Sequence, residues 1–256
     1  MQLGLLRWLV AASPFSHQHR LGVVWCRVSD GRHEGSSTIG GALDPSSAAG
    51  QDLRPLDPDL YDRLRAVTVG GDGSVASLAA MAACGAMPKG TVFYDQGLSF
   101  ADLAASDQAA RVVRRERWFH EAMVAVATCS LVFVDPDDGG RRSMPSSGGV
   151  ATEAQTSMSE IGRLLERGQS VVVCHRVEGT GPLASQVASR MDDVHSALGV
   201  DPLAAVWTAW DTTRAVFVIP HPQHRSDLED RLGALQLSRW GDELRLARWH
   251  RADVLT

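Results

Sequence analysis

Three carboxylates follow a short apolar run near the middle of the chain. Leu131–Val134 continue directly into Asp135, Pro136, Asp137 and Asp138, and two glycines come next. A continuous apolar run bounded by turn residues predicts a strand that is buried on both faces. The carboxyl end of such a strand is where open α/β sheets bind their ligands. The pattern predicts a functional site, and an acidic turn is the alternative because Asp, Pro and Gly also form ordinary turns.

These acids suit the binding of a metal ion. Three carboxylates placed together repel one another unless a cation, a hydrogen-bonding substrate or water separates them. Asp135, Asp137 and Asp138 would supply the oxygen ligands that a hard divalent cation such as Mg²⁺ prefers. The cation would activate water in metal-assisted hydrolysis. The alternative is that Asp137 and Asp138 are solvated turn residues.

Polar residues also follow the first predicted strand, Leu21–Val28. They include Asp30, Gly31 and His33. Because parallel strands end at the same edge of a sheet, we expect this loop to lie near Asp135. Glycine permits close backbone approach to a ligand, and histidine moves protons or ligates metal. We expect these residues to contribute to cofactor binding, and a polar loop with an exposed histidine is the alternative.

A histidine ends another predicted strand. His175 directly follows the apolar run Ser170–Cys174. Adjacent parallel strand ends would bring His175 near Asp135, and a carboxylate partner raises the basicity of a histidine. Such a pair suits general base catalysis, so Asp135, Asp137 and His175 are the predicted catalytic residues. A structural histidine at the end of the strand is the alternative.

Two further basic groups have both structural and functional explanations. His221 and His224 follow a predicted reversed strand, so we expect them at the other sheet edge as turn and helix-cap residues, with metal binding as the alternative.

The helix face Arg111–Arg117 would contact phosphates if the substrate is a nucleic acid. In the alternative, this face is solvated and pairs with Glu116 and Glu121.

The order of elements predicts the fold class. Apolar runs alternate with amphipathic segments, which is typical of an α/β protein with a mostly parallel central sheet. The runs Ala204–Trp210 and Arg214–Pro220 are separated by three residues, a gap that permits only an antiparallel hairpin. We expect residues 1–256 to form one three-layer, Rossmann-like domain. Residues 29–57 are predicted to be a long polar loop or lid.

Composition narrows the class of protein. The chain has 256 residues, is 44% hydrophobic and carries a net charge of −5, values typical of a soluble globular protein without global attraction to nucleic acid or membranes. Its four cysteines form no CxxC pair, which fits a reducing cytoplasm.

Leu3–Ala12 is interrupted by Arg7 and predicts a core helix rather than a signal sequence. No apolar run reaches the ~20 residues of a membrane span.

This order of elements resembles the class I S-adenosylmethionine-dependent methyltransferases, whose sheet is parallel except for a reversed last strand inserted through a hairpin. Their amine-methylating members carry an (Asp/Asn)-Pro-Pro-(Tyr/Phe) motif after the fourth strand, and Leu131–Gly140 takes that place here. Ser170–Arg176 resembles the fifth strand, and Ala204–Pro220 resembles the sixth and seventh. The chain is similar to bacterial enzymes that methylate an adenine N6 amine in large-subunit ribosomal RNA. It also resembles uncharacterised bacterial proteins with an Asp-Pro-Asp-(Asn/Asp)-Gly strand end.

The resemblance implies that S-adenosylmethionine is the cofactor and that Asp135 accepts hydrogen bonds from the amine of a nucleic acid or nucleotide. Two positions differ from the family pattern. No GxGxG turn follows Val28, and Asp138 stands at the aromatic position that stacks on the base. Three functions therefore stay open: a methyltransferase, a divalent-metal-dependent hydrolase or nuclease, and a binding scaffold without catalysis.

Overall fold

A computed structural model of the protein contains one sheet of seven strands. The structure describes residues 2–11, 18–26, 54–68, 82–104, 106–136, 156–177, 181–208 and 214–249. The strands are β1 (Leu21–Cys26), β2 (Val92–Tyr94), β3 (Leu131–Pro136), β4 (Ser170–Arg176), β5 (Ala204–Thr208), β6 (Arg214–Ile219) and β7 (Leu244–Arg248). Their order across the sheet is β2-β1-β3-β4-β6-β5-β7.

Seven α-helices lie within the described ranges. They are α1 (Gln2–Val10), α2 (Pro58–Thr68), α3 (Gln108–Ala125), α4 (Met158–Glu166), α5 (Leu183–Leu198), α6 (Arg225–Leu237) and α7 (Trp240–Glu243), and a 3₁₀ turn covers Pro222–His224. The predicted strands Leu21–Val28, Ala204–Trp210 and Arg214–Pro220 agree with β1, β5 and β6 to within a few residues.

The sheet is mixed, which corrects the prediction of a mostly parallel sheet. The pairs β2–β1, β1–β3 and β3–β4 are parallel, whereas β4–β6, β6–β5 and β5–β7 are antiparallel. The predicted antiparallel pairing of β5 with β6 is confirmed. Because β6 lies between β4 and β5, this reversed strand is inserted into the sheet instead of extending its edge.

The two faces of the sheet pack against different helices. One, called the α1 face below, packs against α1, α2, α6 and α7 through Leu6, Leu60, Leu232 and Trp240. The other, called the α3 face, packs against α3, α4 and α5 through side chains that include Phe119, Leu164 and Met191. Burial on both faces explains why the central strands are continuous apolar runs without polar alternation.

Local signals set several helix ends. Ser157 and Glu160 form a capping box at the start of α4, in which each side chain accepts a hydrogen bond from the backbone N–H of the other residue. After α4, Gly168 adopts a φ of +83°, a conformation that favours glycine and is typical of the residue that ends a helix. The predicted core helix at the N-terminus is also confirmed, since Leu3 and Leu9 of α1 are buried.

Candidate functional site

The chain changes direction across the sheet between β1 and β3. It passes from β1 to β2 on one side and then returns past β1 to β3 on the other. The helix that follows β1, α2, packs on the α1 face, whereas the helix that follows β3, α4, packs on the α3 face. Helices that leave a sheet on opposite faces open a crevice at the carboxyl ends of the two strands, and doubly wound proteins bind their ligands there.

The predicted acidic site lies beside this crevice. Asp135 is the penultimate residue of β3, and its backbone is in register with Trp25 near the end of β1. Asp137 and Asp138, which follow β3, lie outside the described residues, as do Asp30, Gly31 and His33 after β1. The strand topology therefore brings the two predicted loops to adjacent strand ends, and the contacts within them stay predictions.

Buried side chains lie at the carboxyl ends of the neighbouring strands. Val24, Trp25 and Val134 have exposures of 3% or less and pack in the helix layers on the two faces of the sheet. At the end of β2, the Tyr94 hydroxyl lies 3.1 Å from the carbonyl oxygen of Trp118 and 3.3 Å from Oε2 of Glu121. This packing holds the strand ends beside the switch point in place.

His175 occupies the predicted edge of the sheet, but its surroundings make it a weak base. It is the penultimate residue of β4 and is buried, and its ring meets Phe217 edge-on at a centroid distance of 5.9 Å. Burial, with a smaller contribution from the charge of Arg190, lowers the pKa of His175 to about 3. The ring is neutral near pH 7, and the shift is opposite to the raised basicity that a carboxylate partner would give.

His175 takes a position on the α3 face of the sheet, because Phe217, which its ring contacts, belongs to that face. The end of β4 lies beside the end of β3. The pairing of His175 with Asp135 stays a prediction.

A polar contact that the sequence did not indicate lies at the same edge. The amide Nε2 of Gln2 in α1 lies 2.7 Å from Sγ of Cys174, and both residues are buried. Cys174 is on the α1 face of the sheet. The start of α1 therefore covers the end of β4. In the sequence, the signal for this contact is Gln2, the only amide side chain among the apolar residues at the start of α1.

The predicted basic face of α3 makes contacts within the protein. Arg114 pairs with Asp102 and holds the pKa of that carboxyl at about 2. Arg115 forms a two-pronged pair with Glu160 at 2.7 and 2.9 Å, with both side chains buried. The guanidinium of Arg111 lies over the Phe100 ring. These contacts favour a structural role for Arg111, Arg114 and Arg115 over phosphate binding.

Glu116 and Glu121, which pair with this face in the alternative interpretation, contact residues of other elements. The carboxylate of Glu116 pairs with Arg163 of α4 at 2.7 Å. The carboxylate of Glu121 lies 3.3 Å from the Tyr94 hydroxyl. Acidic side chains of α3 therefore join this helix to α4 and β2.

The opposite edge of the sheet carries the predicted turn histidines. The ring Nδ1 of His221 accepts a hydrogen bond from the Gln223 N–H at the start of the 3₁₀ turn, as expected for a cap. The backbone N–H of His221 donates to Oγ of Ser170, the first residue of β4. That hydroxyl also lies 3.0 Å from Nδ1 of His224. Their predicted position away from the end of β3 is confirmed.

In the part of the chain that the structure describes, no group of three or more His, Cys, Asp or Glu residues is arranged to hold a metal ion. The predicted ligands Asp137 and Asp138 are not in that part. Among the described helices, none combines the length and the apolar character required to cross a bilayer.

Comparison with known proteins gives a structural neighbour of low similarity. The chain matches no protein-family model and no curated protein at a significant level. Among solved structures it is similar to protein LPL1258 from Legionella pneumophila str. Philadelphia 1, which carries the family model DUF519. The TM-score is 0.38 with 9% sequence identity, and the match covers 98% of this chain and 95% of the other.

Proposed function

We propose that this protein is an S-adenosylmethionine-dependent methyltransferase that acts on an amine of a nucleic acid or nucleotide. The observation that carries the proposal is the reversed strand β6 inserted between β4 and β5, in a sheet whose switch point lies beside Asp135. The inserted reversed strand is the feature for which the sequence resembles class I methyltransferases. This is a fold-level argument, and the activity needs its own test.

The proposed roles follow from the strand ends. Asp135 accepts hydrogen bonds from the target amine and so directs the nitrogen lone pair into the crevice. Asp30, Gly31 and His33, which follow β1, hold the cofactor on the other side of the switch point. S-adenosylmethionine supplies the electrophilic methyl group when it is bound.

The first test is binding of the cofactor. Metal-stripped protein titrated calorimetrically with S-adenosylmethionine should bind it with micromolar affinity. Asp135→Asn should keep this affinity, because Asp135 is assigned to the amine and not to the cofactor. In a radiolabel transfer assay on RNA and ribonucleotides, the same variant should lose about 100-fold or more of its methylation rate.

The result that would overturn the proposal is an absence of cofactor binding by protein whose fold is intact by circular dichroism. Mg²⁺-dependent cleavage of RNA or nucleotides would then favour the hydrolase or nuclease with Asp135, Asp137 and Asp138 as metal ligands. Asp137→Asn separates the two chemistries. It should abolish metal-dependent cleavage and leave a methyl transfer that depends on Asp135 nearly unchanged.

A further inference from the structure

A serine, a histidine and an aspartate form a hydrogen-bonded series at the amino edge of the sheet. The hydroxyl of Ser130 lies 3.1 Å from Nδ1 of His19, and Nε2 of the same ring lies 2.7 Å from Oδ2 of Asp227. His19 precedes β1, Ser130 precedes β3, and Asp227 is in α6. This edge is the opposite end of the strands from the carboxyl edge at which we place methyl transfer.

The neighbouring contacts fix the direction of these hydrogen bonds. Nε2 of His19 faces a carboxylate and therefore carries the ring proton, which leaves Nδ1 as an acceptor. The Ser130 oxygen accepts a hydrogen bond from the backbone N–H of Arg20 at 3.1 Å, and its own proton is directed to Nδ1. Arg231 donates from Nε to the same Asp227 oxygen at 2.7 Å and favours its ionised form.

The base of the series is shielded from water, and the serine is partly accessible. Ser130 and Asp227 are half-buried, and the side chain of His19 between them is 2% exposed. Arg20, next to His19 in the sequence, is exposed. Burial raises the pKa of the Cys129 thiol, which precedes Ser130, and the positive charge of Arg20 opposes this rise. A cation at this place would attract a substrate that carries negative charge.

We propose that Ser130 is the nucleophile of a second, hydrolytic site that cleaves carboxylic esters, with His19 as its base and Asp227 as the residue that positions His19. A nucleophile within hydrogen-bond reach of a base that a third group orients is the arrangement of serine hydrolases. The Ser130 oxygen attacks the ester carbonyl, and its proton passes to Nδ1 of His19. That proton then moves to the departing alkoxide, and water releases the acid from the acylated serine.

The test uses the full chain and two probes, a fluorophosphonate and 4-nitrophenyl acetate. Mass spectrometry of digested protein should find the phosphonyl group on Ser130, with loss of fluoride. Ser130→Ala should remove both the adduct and the release of 4-nitrophenol. Ser170→Ala is the matched control, because this second serine at the same edge also contacts a histidine but is fully buried. It should keep labelling at the wild-type rate.

Asp227→Asn tests the positioning role. Labelling should slow about 100-fold, and the midpoint of its pH–rate profile should move to lower pH, because a carboxylate neighbour raises the pKa of a histidine. The rates are compared at a temperature where circular dichroism shows both proteins folded. Wild-type protein that leaves Ser130 unmodified at millimolar probe, while a reference serine esterase is labelled in parallel, would overturn the proposal. So would an adduct that persists in Ser130→Ala.

Discussion

The buried ring of His175 couples protonation to folding. Its pKa falls from 6.5 to about 3 in the folded protein because the ring leaves water and lies near the charge of Arg190. The unfolded chain therefore binds this proton more readily, and acid favours unfolding as the pH falls from about 6.5 to about 3. Through this residue, the free energy of unfolding should decrease by about 2 kcal/mol between pH 7 and pH 5.

His175→Gln removes the titrating group and tests this coupling. Urea denaturation followed by circular dichroism at pH 7 and pH 5 gives the loss of stability on acidification for each protein. The loss should be about 2 kcal/mol smaller in the variant, whatever its stability at pH 7. Equal losses in the two proteins would show that the folded protein takes up the proton at His175 as easily as the unfolded chain does.

The same residue shows what the sequence can and cannot predict about the site. The apolar run before His175 correctly predicts a strand end. The run is apolar at every position because both faces of β4 are buried, so it contains no alternation that would show which face His175 takes. Asp135 follows a similar run in β3. The edge of the sheet is therefore predictable from the sequence, and the partners across it are not.

At the scale of elements, a buried ion pair joins α3 to α4. Arg115 and Glu160 are 5% and 3% exposed and are joined by two hydrogen bonds. Glu160→Gln keeps an oxygen for the capping box but leaves the guanidinium of Arg115 buried without its countercharge. This variant should lose about 3–5 kcal/mol of unfolding free energy, measured by chemical denaturation. Adding Arg115→Met should restore part of the loss.

An exposed pair with the same geometry provides the control. Arg54 and Asp62 also form two hydrogen bonds, at 3.0 and 3.1 Å, but their side chains are 58% and 52% exposed. Water solvates either charge when its partner is removed, so Asp62→Asn should change stability far less than Glu160→Gln. Similar losses in the two variants would mean that burial does not determine the strength of the α3–α4 pair.

Element order was largely predictable, and strand pairing only partly. The short connection between β5 and β6 forces them to be antiparallel, so this part of the sheet follows from chain geometry. The sequence near Glu243–Trp249 also predicts a last strand, and β7 covers Leu244–Arg248. Its antiparallel pairing with β5 was not predicted, because it joins residues about 40 positions apart whose local patterns are independent of each other. That pairing, together with the reversed β6, makes the sheet mixed.

At the scale of the whole molecule, the two apolar layers share one sheet. Each central strand contributes alternate side chains to both layers, as Val132 and Phe133 of β3 do. Neither layer can lose its packing without exposing strands that also support the other. The switch point at the carboxyl edge and the serine–histidine–aspartate series at the amino edge are held by the same strands, so both proposed sites depend on one cooperative unit.

Matched substitutions in the two layers test this cooperativity. Leu9 of α1 and Leu164 of α4 are both fully buried, on the α1 face and the α3 face respectively. Leu9→Ala and Leu164→Ala should each lower the free energy of unfolding by about 2–5 kcal/mol. In both variants, denaturation followed by far-ultraviolet circular dichroism and by tryptophan fluorescence should give one coincident transition. A variant in which the two signals separate would show that one layer unfolds while the sheet and the other layer remain folded.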